Sequence, residues 1–580
     1  YLNRIREITD ALNEKTKFTY DANGNLLTVT DAKNQVITYT YNVRDKVATM
    51  TDQLGKTETY SYDKNDNLIS LKDRKGQTTS YAYNILNQLT KTTYADGSAT
   101  NYSYDAVGRL NTVTDTDTGM ISYTYSNDSC AACGGAVDKV IQELTSLGSI
   151  SYEYDAIGRR KSMTVAGQPT VYYNYDADSH LTNIQTTINS VVQNFNINYD
   201  AIGRRTVLSL PNGVITNYSY DNASHLLNIE HLNPLNAIME KISYSYDANG
   251  NRKNMDRLNV TPKLPNPAAN ITYNSANQML TFNDKSITYD NNGNMMSVTN
   301  SCGTTAYTWN ARNQMIGIQG YDALCAMLSA SFEYDALGRR IEKTINGKTI
   351  QYLYDGLDII QEIENGTVTV NYIRTLRIDQ PLARIKSNGT IRYYQTDALG
   401  SVIALTDETG AIKTQYLYDP FGNVTISGEV SDNPFQYTGR ENDGTGLDYY
   451  RARYYSPELQ RFITEDPIRL RGGINYFVYV GNNPLNFTDP SGLQPPGGSQ
   501  PPLPPTGLPG EPPDAPGSDE APQGSGCETE YEEYCDDYRC NGEVVKDKCF
   551  VKDIKECHCY HYSLRPVRNC GGHKYYLWGK

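Results

Sequence analysis

The sequence predicts an all-β protein built from tandem hairpins, and three observations carry that reading. Tyrosine is used 49 times, against 10 phenylalanines and 2 tryptophans. Tyr followed by Asp, Asn or Ser recurs at Tyr20, Tyr41, Tyr62, Tyr83, Tyr104 and Tyr125, once every 21 residues. Gly and Asn punctuate the intervals and Thr, Val, Ile and Tyr fill them, which suits strands and turns and defeats a helix. A fixed period of this kind signals stacked supersecondary units. Hydrophobic content is only 38%, but a tyrosine can bury its ring while its hydroxyl reaches water or a backbone carbonyl.

One unit shows what the period builds. Tyr102-Ser-Tyr104-Asp105 alternates ring and small polar residue, the mark of a strand with unlike faces. Ala106-Val-Gly108-Arg109 follows as a turn in which Gly108 can take positive φ. Leu110 to Thr114 alternates again, and Asp115 to Gly119 returns the chain, so each period is a β-hairpin. The pattern continues less regularly at Tyr154, Tyr175, Tyr199, Tyr220, Tyr246, Tyr273 and Tyr289; Trp309 takes one cycle, and Tyr334 and Tyr354 follow. On the residues alone, a flat antiparallel solenoid without an interior stays open.

The phrase Y-x-Y-D-x-x-G-R-L resembles the YD repeat of Rhs proteins and teneurins, over roughly residues 15–493. That resemblance implies hairpins joined into one long spiralling sheet that forms a hollow shell or part of one. Such closure would leave few exposed strand edges.

Two features interrupt the rhythm. The interval from Tyr125 to Tyr154 holds Cys130 and Cys133 in a C-x-x-C, which reads as a local disulfide or free thiols in preference to a metal site, since no second pair follows. Cys302 and Cys325, on neighbouring repeats, are candidates for a cross-repeat bridge that geometry must decide. His180 and His225 each stand in S-H-L, where other repeats carry Gly-Arg-Leu or Gly-Asn-Leu, and read as turn substitutions; His231 has an equally structural reading.

From Tyr393 the text changes, and Asn433–Leu493 contains two Asp-Pro steps, Asp466-Pro467 and Asp489-Pro490, 23 residues apart. Proline forces the preceding residue to be extended, and aspartate opens turns, so a structural role explains both steps. The run Pro484-Leu-Asn-Phe-Thr-Asp489-Pro490-Ser491-Gly492-Leu493 nevertheless matches the P-x-x-x-x-D-P-x-G-L boundary of the Rhs repeat-associated core, found in polymorphic toxins and in the C component of insecticidal toxin complexes. This resemblance implies self-cleavage between Leu493 and Gln494 by an aspartyl-protease-like pair, Asp466 and Asp489. Two carboxylates about 3 Å apart cannot both ionise comfortably, so one keeps a proton for the carbonyl while the other takes one from water. Arg461 is the third candidate, to orient a carboxylate or steady the oxyanion; as a surface arginine it would have no such role. Glu465, beside Asp466, would raise that carboxyl's pKa unless its side chain points elsewhere.

Residues 494–526 hold 11 prolines in 33 positions with no Lys or Arg, and read as an extended linker. The tail 527–580 has seven cysteines, and reads as a disulfide-stapled mini-domain of an oxidising compartment, so a secreted or cell-surface location is expected. A metal set of Cys557, His558, Cys559, His561, Cys570 and His573 fits no trusted zinc spacing, and disulfides are the preferred reading. The domain reading is therefore 1–392 repeats, 393–493 core, 494–526 linker and 527–580 tail. Tyr1 reads as the start of a fragment, since neither an initiator Met nor a signal peptide is present. No run of 18 apolar residues suggests a membrane span, and the net charge of −14 argues against nucleic acid as a partner of the shell. No cofactor is called for. Two functions follow. The first is a shell that encloses its own tail as cargo and releases it by cleavage, with a shell-closing or delivery partner. The second is a cell-surface adhesion protein whose exposed tyrosines stack on glycans or meet a receptor, without cleavage.

Overall fold

A computed structural model describes residues 4–126, 139–258, 260–261 and 263–493, together with the backbone of tail strands 527–540, 543–546, 557–570 and 573–576. Each repeat is the predicted hairpin. Twenty-three strands, from Glu7–Thr9 to Arg252–Arg257, form one antiparallel sheet in which sequence neighbours pair. Sixteen more, from Thr272–Tyr273 to Val424–Gly428, form a second. The array is thus divided where a single sheet was expected. The break spans 258–271, where Pro265 and Pro267 lack the N–H that a ladder requires. The second sheet runs on through the hairpins at 391–428, where Tyr416-Leu-Tyr418-Asp419 repeats the phrase and the Tyr418 hydroxyl donates to the Val402 carbonyl at 2.7 Å.

The period has a physical cause, visible at Tyr104–Tyr125. The ladder shifts register between Ser103 and Tyr104. Asp105 Oδ1 then accepts the N–H groups of Val107 and Arg109, at 3.0 and 2.9 Å, and Gly108 closes the turn at φ 94°. Arg109 Nε donates to Asp105 Oδ2 at 2.6 Å, and its guanidinium lies 4.3 Å over the ring of Tyr125. The Tyr125 hydroxyl donates to the Leu110 carbonyl at 2.7 Å. The same hydroxyl-to-carbonyl clasp recurs at Tyr41, Tyr83, Tyr104, Tyr175 and Tyr220, a bond that Phe could not make. Trp309 keeps the clasp by donating its Nε1–H to the Met295 carbonyl at 2.8 Å.

The histidines divide by place. His180 and His225 stand in for the clasping arginine: each Nδ1 donates to the turn aspartate, at 3.1 Å to Asp176 and 2.9 Å to Asp221, and the rings stack on Tyr199 and Tyr246. His231 is a strand residue, buried between Thr216 Oγ1 and the Thr396 carbonyl, at 2.9 and 3.2 Å. Burial pushes its pKa down to about 4.

The two sheets share a core in which residues 102–214 meet Leu353, Ile360, Ile373 and Leu382. Of the tyrosines named in the sequence pattern, Tyr125, Tyr334 and Tyr354 are buried, Tyr273 is exposed and the others are half-buried. Cys302 and Cys325 sit on adjacent turns with Cα atoms 5.1 Å apart, within the span of a disulfide. Cys130, Cys133 and the linker lie outside the described residues. Among the described residues no helix is long and apolar enough to cross a membrane. In the tail, the strands form a separate antiparallel sheet in the order 543–546, 527–540, 557–570, 573–576. Its register places Cys527 opposite Cys570 and Cys540 opposite Cys557.

Candidate cleavage site

After Gly428 the build changes to four short strands, Glu441–Asn442, Asp448–Tyr450, Arg453–Ser456 and Arg461–Phe462, with one 3-10 turn before them and two after. Tyr437, Tyr450, Tyr455, Phe462 and Tyr479 make a core of their own. Leu470, Tyr476 and Phe477 enter the core of the first hairpins, and Tyr449, Tyr454 and Leu459 that of the hairpins from Met279 to Tyr334. The region is held by both sheets, and its own polar groups are buried with it.

Both Asp-Pro steps keep part of the repeat's turn. Asp489 Oδ1 accepts the Leu493 N–H at 3.0 Å and the Ser491 hydroxyl at 3.2 Å, and its carbonyl faces the Gly492 N–H at 3.4 Å. Gly492 holds φ 73°, and a Cβ there would collide with the Tyr450 carbonyl oxygen, so only glycine fits. Asp466 Oδ1 accepts the Ile468 N–H at 3.0 Å, its carbonyl accepts Arg469 N–H at 3.0 Å, and Arg469 takes the left-handed position at φ 55°. In many repeats an arginine, asparagine or histidine four residues on satisfies the second carboxylate oxygen. Here those positions are Leu493 and Leu470, which cannot.

Arg453 supplies what they lack. Its Nη2 lies 2.9 Å from Asp466 Oδ2 and 3.3 Å from Asp489 Oδ2, so the two predicted aspartates converge on one nitrogen. Nη1 donates to the Tyr476 carbonyl at 3.1 Å, and Nε donates to the carbonyl of Gly492, one residue before Leu493. The guanidinium also lies 3.6 Å from the ring centre of Phe462. Arg453 was missed in the sequence, and the signal for it is the pair of leucines just described: two turn aspartates without a local arginine need one from elsewhere.

Arg461, the predicted third residue, is not at this site. Its Nη2 donates to the Asn277 carbonyl at 3.0 Å, and its guanidinium lies over Tyr273 and Phe477. Its short strand aims it at the second sheet. Arg451 is nearer: it donates to the Pro490 carbonyl and pairs with Asp379 at 2.7 Å, tying the turn to a buried loop of the second sheet. Glu465 is engaged by Arg74 and Arg469, at 2.7 and 2.8 Å. Leu493 is placed by its N–H bond to Asp489; Gln494 lies outside the described residues.

Burial pushes the Asp466 carboxyl up to about 6; the neighbouring Asp489 adds to the rise, while Arg453 and the Ile468 N–H oppose it. A carboxyl titrating there can hold a proton near neutral pH and give it up, beside a second carboxylate occupied as an acceptor. Among the described residues no three His, Cys, Asp or Glu side chains gather as a metal site.

Known proteins share this build. The chain is 36% identical over 264 residues to the tRNA3(Ser)-specific nuclease WapA of Bacillus spizizenii, a match covering 43% of this chain and 11% of that protein. It is 29% identical over 218 residues to the toxin subunit YenC1 of Yersinia entomophaga, covering 32% of this chain and 22% of that one. These matches thus span a small part of each relative. A crystal structure of a TcdB2–TccC3–Cdc42 complex superposes with a TM-score of 0.57 at 17% identity, covering 83% of this chain and 31% of its counterpart, which shows a common fold. The profile of the Teneurin YD-shell family matches residues 2–132 and 212–472, more than half of the sequence, and the chain belongs to that family.

Proposed function

We propose that this YD-shell protein releases its C-terminal tail by hydrolysing its own Leu493–Gln494 bond. The observation that carries the reading is the convergence of Asp466 and Asp489 on Arg453, whose Nε grips the Gly492 carbonyl beside the bond. Asp489 takes a proton from water as it attacks the Leu493 carbonyl, and Asp466 in its neutral form protonates that oxygen. Collapse of the tetrahedral carbon breaks the C–N bond. The amine of Gln494 leaves with a proton, and Leu493 keeps a new carboxylate. Arg453 aligns both carboxylates and fixes the strand that presents the bond.

The relatives' names, a tRNA nuclease and a toxin subunit, support the role of an effector for whatever follows the cleavage turn. For this chain that is the linker and the cysteine-rich tail, in which the facing Cys527/Cys570 and Cys540/Cys557 register supports a disulfide-stapled domain. Enclosure of the tail and association with a further toxin component belong to the same reading, as does secretion. The test is intact mass of the purified chain. Fragments ending at Leu493 and beginning at Gln494 are expected, and neither Asp466→Asn nor Asp489→Asn should yield them. A wild-type chain that stays whole overturns the reading. Limited proteolysis tests enclosure separately: a tail digested at once while the repeats survive is not inside.

A further inference from the structure

The turn that carries Asp466 is bracketed by two charged side chains, Glu465 and Arg469. Both are inside the protein, and neither finds its partners within its own region alone. Arg74, from the turn after strand Leu68–Lys72, reaches across with Nη1 3.0 Å from Glu465 Oε1 and Nη2 2.7 Å from Oε2. Arg469 pairs with Glu465 at 2.8 Å and with Glu58 at 2.6 Å, and Glu58 is further held by the Tyr60 hydroxyl at 2.7 Å. Arg74 completes the network on Asp52 at 2.9 Å and on the Asn292 carbonyl at 2.7 Å. The side chains of Arg74, Asp52 and Glu58 are all but excluded from solvent. Gly293 makes room for the junction, since a Cβ there would run into the Glu465 carboxylate. Residues 391 and 411 positions apart in sequence thus meet at one buried ionic seam next to the proposed catalytic turn.

Buried charges of this kind tolerate burial only when every partner is present. With the first hairpins undocked, Glu465 and Arg469 lose Arg74 and Glu58, and the two would turn to water and take the Asp466 turn with them. We infer that Arg74, Glu58, Glu465 and Arg469 are positioning residues which make cleavage at Leu493 conditional on docking of the hairpins at 47–75 against the core. Cleavage then reports that the N-terminal repeats are seated, and an unseated chain keeps its tail attached. The inference rests on the cleavage reading.

The experiment follows cleavage of the full chain over time by intact mass, after synthesis or refolding, with far-UV circular dichroism and limited proteolysis of the repeats as folding checks. Arg74→Met should slow cleavage at least tenfold while the repeats stay protease-resistant. Arg74→Glu should stop it, and Arg74→Glu combined with Glu465→Arg should recover at least a tenth of the wild-type rate, which a loss of folding alone would not permit. Glu465→Gln gives a readout that mere destabilisation would not move. With that carboxylate gone, Arg469 keeps only Glu58 as a counter-charge and acts more strongly on Asp466, so the pH at which cleavage declines should shift to lower values. Equal rates in wild type and Arg74→Met, or a charge-swapped chain no better than Arg74→Glu, overturn the inference alone. A wild-type chain that never cleaves overturns the underlying reading, and this inference with it.

Discussion

The turn at Asp105 and the turns at Asp466 and Asp489 are related local structures in two environments. In each, an aspartate Oδ1 gathers N–H or O–H donors from the residues that follow, and a residue with positive φ closes the loop. The difference lies in the second carboxylate oxygen. Asp105 Oδ2 meets Arg109 from its own turn at the sheet edge, and hydrogen bonds from Arg109 hold its carboxyl below the usual range despite some desolvation. Asp466 and Asp489 instead share a buried Arg453 from a separate strand, and Asp466 is pushed up to about 6. Local structure sets the geometry of a carboxylate; burial and the origin of its partner set whether it can carry a proton.

Arg453 is where that comparison breaks most sharply. Arg453→Met leaves two buried carboxylates without their shared cation, and the expected cost is about 3–5 kcal/mol of stability with cleavage slowed ~10²–10³-fold. Arg453→Lys should not rescue it, since one ammonium cannot meet two carbonyls and two carboxylates as a planar fork does. Arg109→Met at the repeat edge should cost less than about 1 kcal/mol and leave cleavage unchanged. Denaturant midpoints and intact mass separate the two. Similar losses at both sites would remove the distinction.

The pH dependence of Asp466 sharpens the same point. Its folded pKa of about 6 lies above the ordinary 3.8, so the folded chain binds the extra proton between those values. The stabilisation it gives is full below 3.8 and is lost as pH rises through about 6, a change of about 3 kcal/mol that Asp466→Asn should abolish. Cleavage, if Asp466 is the proton donor, should fall about tenfold per pH unit above that midpoint. A rate flat from pH 5 to about 8 would remove Asp466 from the role.

The histidines repeat the contrast with the opposite sign. His231 is buried neutral, its pKa lowered from 6.5 to about 4. Stability tied to it is present above 6.5 and is lost as pH falls toward 4, by up to about 3 kcal/mol. His231→Gln should flatten that acid limb in denaturant titrations.

What the sequence reveals follows from how local each interaction is. The hairpin period is legible because every contact that makes it, from the Asp105 turn to the Arg109–Tyr125 clasp, lies within about one repeat. The Asp466/Asp489 pair is legible through a motif, and the shared arginine is not, because Arg453 lies 36 residues from Asp489 and nothing along the chain marks the contact. Arg461, nearer Asp466 in sequence, is turned toward Asn277 by its own short strand. The hairpins at 391–428 stay legible for the same reason as the period: Tyr416-Leu-Tyr418-Asp419 repeats the phrase, and the Tyr418 hydroxyl donates to the Val402 carbonyl at 2.7 Å. Exposed tyrosines cannot be told from clasped ones by composition, since the Leu110 carbonyl that accepts from Tyr125 is a backbone atom.

The smallest effects test the clasp itself. Tyr125→Phe removes a hydroxyl that donates to the Leu110 carbonyl inside the protein, whereas Tyr104→Phe removes the equivalent bond to Leu89 in a half-buried setting. A carbonyl stranded away from water forfeits its whole hydrogen bond, and one near the edge can recruit a water in place of the phenol. Tyr125→Phe should therefore cost about 1–1.5 kcal/mol and Tyr104→Phe about half that, with the Arg109 stack on the ring kept in the first variant. Both should leave the rate of cleavage where it was. Equal costs at the two positions would mean that the hydroxyls are interchangeable with water throughout, and that the 21-residue spacing of tyrosines is held by ring packing alone.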